Sequence, residues 1–600
     1  MRLLSSFAVL LLVACSTQTP PPVASTPVSV DANVAFDRLA EEYFEESLPL
    51  SPVFATSIGD NRYNDRYTAS FSEEQRAASL ALAQKYSDAA RRIDTAALDE
   101  THRVSHAIFT RNLANAIEGN RYPFHLAPVD QFRNFTAQFA QMGSGTGLHP
   151  FKTVKDYDDF LSRMNGFTEA VDIAIANMRR GMAQGIVVPR ALVEKFIPQL
   201  AAHVVSDPKT SIFYGPVKNF PETFSSADRA RLTAAYETAI GERLVAAYRR
   251  LHDFVRDQYL PKARATSGLS ALPGGREWYE YLVRVSTTTN LTADQIHDIG
   301  LAEVARIHRE MEKVKEQVGF NGDLKAFFEF VGKDPRFHFP SREAMLAAYN
   351  DAKIRIDATT SRLFDVQPKA DYEIRPVEAF REQSAAGGSY QPASPDGSRP
   401  GIFYVNTYNL PSRHTWAMES LLLHEGSPGH HFQLSIQREL ESLPRFRRFG
   451  GYTAYSEGWG LYAESLGKEL GVYQDPYQYY GALSGELWRA IRLVLDTGIH
   501  AKGWTREQAI QYALANSSQS EVTATIEVER FMAIPGQALS YKIGQMKISE
   551  LRRRAEQALG SRFDIKAFHR AILEDGALPL DVLEEKIDRW IAAGGSSSRG

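Results

Sequence analysis

Cysteine is almost missing from this chain: of 600 residues, Cys15 is the one thiol. An internal disulfide and a thiolate metal cluster are both excluded, so any bound metal must be held by histidine and carboxylate. A block of like charge is missing too. The 68 basic and 72 acidic residues, net −4, are spread along the chain, and without a basic stripe to follow a phosphate backbone no nucleic-acid partner is expected. The apolar run from Leu3 to Ala14 is too short to cross a bilayer, which takes about 20 residues. Strand-like alternation is scarce. What remains is 44% hydrophobic, enough for a large core and incompatible with a disordered or fibrous protein.

The opening MRLLSSFAVLLLVAC, with its one basic residue, apolar run and Leu12-Val13-Ala14-Cys15, resembles a bacterial lipobox. In such sequences the cysteine is lipidated and becomes the mature N-terminus, so residues 1–15 are expected to be a signal peptide and Cys15 a membrane anchor. An ordinary secretory signal is the alternative, and either implies export. The Ser/Thr/Pro-rich STQTPPPVASTPVSV that follows reads as an extended tether over 16–32. In lipoproteins, serine rather than aspartate after the cysteine favours the outer membrane, here facing the periplasm.

From residue 33 to 600 the dominant signal is helical. Ser72-Glu73-Glu74-Gln75 reads as a capping box opening a helix through Tyr86, and Thr292-Ala293-Asp294-Gln295 opens another. In the second, Ile296, Ile299, Val304, Ile307, Met311, Val314 and Val318 form a core-facing stripe, with Gly319 at its end. The clearest strand is Gly401–Thr407, which could pair with extended substrate backbone as an edge strand or belong to an internal hairpin. The reading is a mainly α protein with a small β element, in two helical halves around a cleft, with a boundary near 267–275.

Four of the fifteen histidines fall between positions 414 and 431: His414, His424, His430 and His431. A zinc hydrolase needs two histidines from one helical segment, a third ligand from elsewhere, and a carboxylate beside the open position. LLLHEGSPGHHFQ supplies His424 and Glu425, but the residue four positions after His424 is Pro428, which a regular helix does not tolerate. Along an uninterrupted helix His430 would lie about 9 Å and His431 about 10.5 Å from His424, too far to share a metal. Gly426-Ser427-Pro428-Gly429 must therefore loop out and return a histidine. Glu457, 33 positions after His424, is the expected acidic ligand, and Glu464, two helical turns on, a partner for a ligating histidine. His414 is assigned a structural role.

The motifs HEGSPGHHFQ (424–433), SEGWGLYAE (456–464), RAIRLVLDTGIH (489–500), PGQALSYKIG (535–544) and FHRAILEDGALPL (568–580) resemble the bacterial domain of unknown function 885 family. That family is grouped with gluzincin-type zinc metallopeptidases such as thimet oligopeptidase and angiotensin-converting enzyme. The resemblance implies a two-lobed helical peptidase fold with Zn2+ at the floor of a deep cleft and a short peptide as substrate. His424, His430 and Glu457 become the metal ligands, with His431 as the alternative second histidine. Glu425 becomes the general base, and Tyr541 the donor to the oxyanion or else a core residue. Arg489, Arg492 and His500, on one helix face with Asp496, are candidates for gripping a substrate carboxylate, or form a buried ion network. An envelope binding lipoprotein without catalysis, and a zinc hydrolase of another amide or an ester, are the competing readings. No protein partner is implied.

Overall fold

A computed structural model describes residues 31–378, 382, 385–393 and 400–595, and in it the chain is mainly α-helical with one small sheet. Cys15 and the tether up to residue 30 lie outside the described residues. Local signals placed the helix starts. The Ser72 side chain accepts from the Gln75 amide (3.1 Å) and opens Glu73–Ala90, while the Gln75 side chain donates instead to the Leu50 carbonyl (2.6 Å), tying the helix to the segment before it. Thr292 and Gln295 cap each other reciprocally at the start of α1 (Ala293–Gln317). Ile296, Val304, Ile307, Met311 and Val314 of its stripe are buried, and Gly319 follows at φ +70°.

Six further helices carry the candidate residues: α2 (Met418–Glu425), α3 (His430–Glu439), α4 (Thr453–Ser465), α5 (Pro476–His500), α6 (Glu521–Ala533) and α7 (Ser540–Leu559). The sheet consists of β1 (Tyr372–Pro376), β2 (Gly388–Gln391) and β3 (Gly401–Val405) in the order β1-β3-β2. β3 is parallel to β1, Tyr372 opposite Gly401, and antiparallel to β2, Gly388 opposite Val405. The expectation that this strand offers an edge to substrate is corrected: it is central, and both of its sides are already paired.

Two large apolar cores divide the molecule, and neither follows the chain halves. One gathers residues from Ala69 to Ala263 together with Val304 to Phe337 and much of Trp416 to Ala538. The other takes Val104 and Ile108 together with Phe339 to Trp590. The Ser267–Gly275 segment marks no gap between lobes. Leu269 is buried beside Leu493 of α5, and a Cβ on Gly268 would sit 1.9 Å from the Ile499 carbonyl oxygen. Among the described residues no helix is long and apolar enough to cross a membrane.

Candidate metal centre

The helix-breaking run does fold back. α2 ends at Glu425, and α3 restarts at His430. Between them the loop packs directly on the last turn of α2: a Cβ on Gly429 would lie 2.0 Å from the His424 carbonyl oxygen and 2.3 Å from that of Leu423. Only a residue without a side chain permits that approach. The Trp459 indole of α4 donates to the Pro428 carbonyl (2.8 Å) and pins the loop from the other side. The result brings the His424 and His430 rings to 4.7 Å between centroids, edge to face.

α4 completes the site. Glu457 Oε2 lies 3.4 Å from His424 Nε2 and 3.5 Å from His430 Nε2, and one donor atom from each of the three residues falls within 4.8 Å of the others. Ligands about 2.05 Å from a tetrahedral centre are separated by about 3.3 Å, so these spacings fit a zinc ion held by two imidazoles and a carboxylate. Two turns further along α4, Glu464 Oε1 accepts from His424 Nδ1 (2.8 Å). Its Oε2 accepts from Ser420 (2.6 Å), and Arg489 stands 3.7 Å away. Two carboxylates of one helix thus bracket one imidazole. Gly460 makes room for it, since a Cβ there would be 2.6 Å from His424 Cε1.

The electrostatics are those of a cation site. Burial alone would lower the His424 imidazole, but hydrogen bonds to Glu457 and Glu464 and the charges of Glu464 and Glu425 raise it to about 10. Burial would raise the Glu457 carboxyl, yet His424 and His430 hold it well below the ordinary carboxylate range. A proton or a divalent ion would satisfy the same set of lone pairs. Glu425 is buried in the last turn of α2 and close enough to His424 and Tyr349 for its charge to act on both.

The alternative ligand His431 points elsewhere. It is buried, Tyr390 donates to its Nδ1 (2.9 Å), and its ring lies 4.5 Å from that of Tyr372. Burial pushes it down to about 4, a neutral core histidine. His500 is corrected as well. Its Nδ1 accepts from the Leu269 amide (3.0 Å) and its Nε2 donates to the Phe531 carbonyl (3.0 Å), so no ring nitrogen is left for a substrate. Arg489 donates to the Gly485 carbonyl and faces Glu464, whereas Arg492 pairs with Glu527 (2.8 Å). Asp496 takes hydrogen bonds from Tyr279 (2.6 Å) and the Gly536 amide. Tyr541 is buried on α7 with the Arg492 guanidinium 4.7 Å from its ring centroid, one turn before the point where Gly544 crosses Gly458 of α4. His414 stacks on Trp416 and faces His338. Ser420, Gly460 and the support of Glu464 by Arg489 were missed from sequence; the paired glycines flanking Trp459 were the available signal.

The model of a bacterial protein family of unknown function, DUF885, matches residues 52–587. A crystal structure of a provisionally named lipoprotein from Colwellia psychrerythraea is similar at 27% identity with a TM-score of 0.87, over 94% of this chain and 100% of that one. A provisionally named lipoprotein of unknown function from Shewanella oneidensis is similar at 18% identity with a TM-score of 0.67, over 92% of this chain and 99% of that one. A search of curated proteins returned no match.

Proposed function

Since the chain belongs to the bacterial DUF885 family, whose description assigns no activity, we propose one from the site itself: zinc-dependent hydrolysis of peptide bonds in short peptides of the cell envelope. The observation that carries this reading is the convergence of His424, His430 and Glu457, with Glu464 behind His424. The order of these residues along the chain supports a gluzincin-like relationship.

His424, His430 and Glu457 would hold the zinc ion, which would supply Lewis acidity toward the substrate carbonyl and the attacking water. The chain's own residues do the rest. Glu425 takes the proton from the attacking water and delivers it to the leaving amine. Glu464, steadied by Ser420 and Arg489, fixes the proton on His424 Nδ1 and leaves Nε2 for the metal. Tyr541 donates to the developing oxyanion. We place the protein in the envelope, anchored through Cys15 and facing the periplasm from the outer membrane. The N-terminal motif and the names of the two similar proteins support this location.

The test joins metal analysis to a mixed peptide library read by mass spectrometry before and after chelation. About one zinc per chain, chelator-sensitive cleavage, and loss of about 100-fold or more in rate with zinc retained in Glu425→Gln are expected. Cleavage that survives chelation or that substitution rejects the mechanism.

A further inference from the structure

Far along the chain from the metal ligands, the helices Glu73–Ala90 and Glu100–Gly119 and the segment after them line a half-open cavity of about 320 Å3. None of its lining residues belongs to the metal centre. Phe71, Tyr122 and Phe124 form aromatic walls, and Arg76, Arg133 and His125 supply polar groups. No carboxylate lines it. The walls are held in place from behind: Tyr122 lies parallel to Trp278 at 6.3 Å, and Phe124 meets the same indole edge-on at 4.7 Å.

The charges do not balance. Arg133 is neutralised by Asp130, to which its Nε donates (2.9 Å). Glu73, whose charge acts on Arg76, is paired with Arg180 (2.5 Å). Arg76 itself donates one Nη2 proton to the Asn120 carbonyl (2.7 Å), which fixes the guanidinium without neutralising it. Burial depresses its pKa, opposite to the effect a carboxylate partner would have. His125 has a buried Nδ1 with no hydrogen-bond partner among the described residues. Arg76 is partly desolvated, and its remaining N–H groups face the cavity lining without a carboxylate in it, an arrangement that favours an anionic ligand.

We propose that this cavity binds a small monoanion with an apolar body, a carboxylate borne on an aromatic or aliphatic group. The carboxylate pairs with the remaining N–H groups of Arg76, and the apolar body lies among Phe71, Tyr122 and Phe124. A free organic acid and the C-terminus of a short peptide carry the same chemistry. The site is independent of the hydrolytic reading and stands or falls without it.

Titration calorimetry on the full chain tests it, with chelator present so that no metal-held carboxylate contributes. The probes are 3-phenylpropanoate, its amide, glycyl-phenylalanine and glycyl-phenylalanine amide. Saturable binding of an acid, at least about tenfold tighter than its own amide and weakened about tenfold or more by Arg76→Gln, is expected. Ala116→Phe, at an exposed helical position on the cavity wall, fills the space without touching the charge and should also abolish binding. Tighter binding of the dipeptide assigns the site to peptide C-termini, and tighter binding of the propanoate assigns it to free acids. Absence of saturable binding by both acids, equal binding of acid and amide, or binding unchanged in Ala116→Phe overturns the proposal.

Discussion

His430 and His431 are neighbours in sequence, yet their rings do opposite things. His430 Nε2 faces Glu457, while His431 is enclosed by Tyr372 and Tyr390. His430→Ala should therefore empty the candidate metal site at little cost to folding, because its ring is only partly buried and leaves few contacts unmade. His431→Ala should do the reverse, keeping the metal while losing roughly 2 kcal/mol or more of stability through the buried cavity left between Tyr372 and Tyr390. Zinc content and thermal midpoint measured on both variants decide this, and equal zinc loss in the two would contradict the geometry. Sequence could not separate them, because the choice rests on the direction in which a four-residue loop returns. It did single out His424, Glu457 and Glu464, which the structure brings together, and the seven-residue spacing of the two glutamates on α4 is a matter of helical period alone.

At the scale of elements, the α2–α3 junction depends on backbone packed on backbone. The Cβ of Gly429→Ala would meet two carbonyl oxygens of α2, and no rotamer change relieves a clash between main chains. The loop must move, His430 with it, and metal content and activity should fall together with a stability loss above about 3 kcal/mol. Normal zinc occupancy in Gly429→Ala would show that the junction is less tight than the structure has it. On α5 the helical period placed Arg489, Arg492, Asp496 and His500 correctly, but their partners come from Glu464, Glu527, Tyr279 and Leu269, distant positions that no local pattern reveals. Burial raises Asp496 to about 7 even though Tyr279 and the Gly536 amide favour its charged form. The folded pKa exceeds the unfolded value of about 3.9. The stability this group contributes is thus present below about pH 4 and lost as pH rises through about 7. Asp496→Asn cannot ionise, so its thermal midpoint relative to the parent should rise between about pH 5 and about pH 8. A pH-independent difference would mean that Asp496 is charged throughout.

For the whole molecule, helix starts and core-facing stripes were legible because they are local, whereas the division into cores was not. The two apolar clusters interleave segments hundreds of residues apart, so the glycine- and proline-rich stretch at 267–275, which looks like a linker in sequence, is packed against α5. The first described helix starts at Ala32, capped by Asp31, and none of the described helices is long and apolar enough to cross a bilayer. The N-terminal motif assigns the proposed membrane attachment to Cys15. Two acyl chains suffice for stable anchoring, since each buried CH2 contributes about 0.8 kcal/mol. Cys15→Ser should move the protein from the detergent-requiring membrane fraction to the soluble fraction, with its thermal midpoint and metal content unchanged because both large cores are built from residues at Ala69 and beyond. Fractionation of cells expressing the two forms, followed by blotting, reads the result directly. Retention of Cys15→Ser in the membrane fraction would transfer the anchoring role to the folded body, and a surface of that body would then have to account for it.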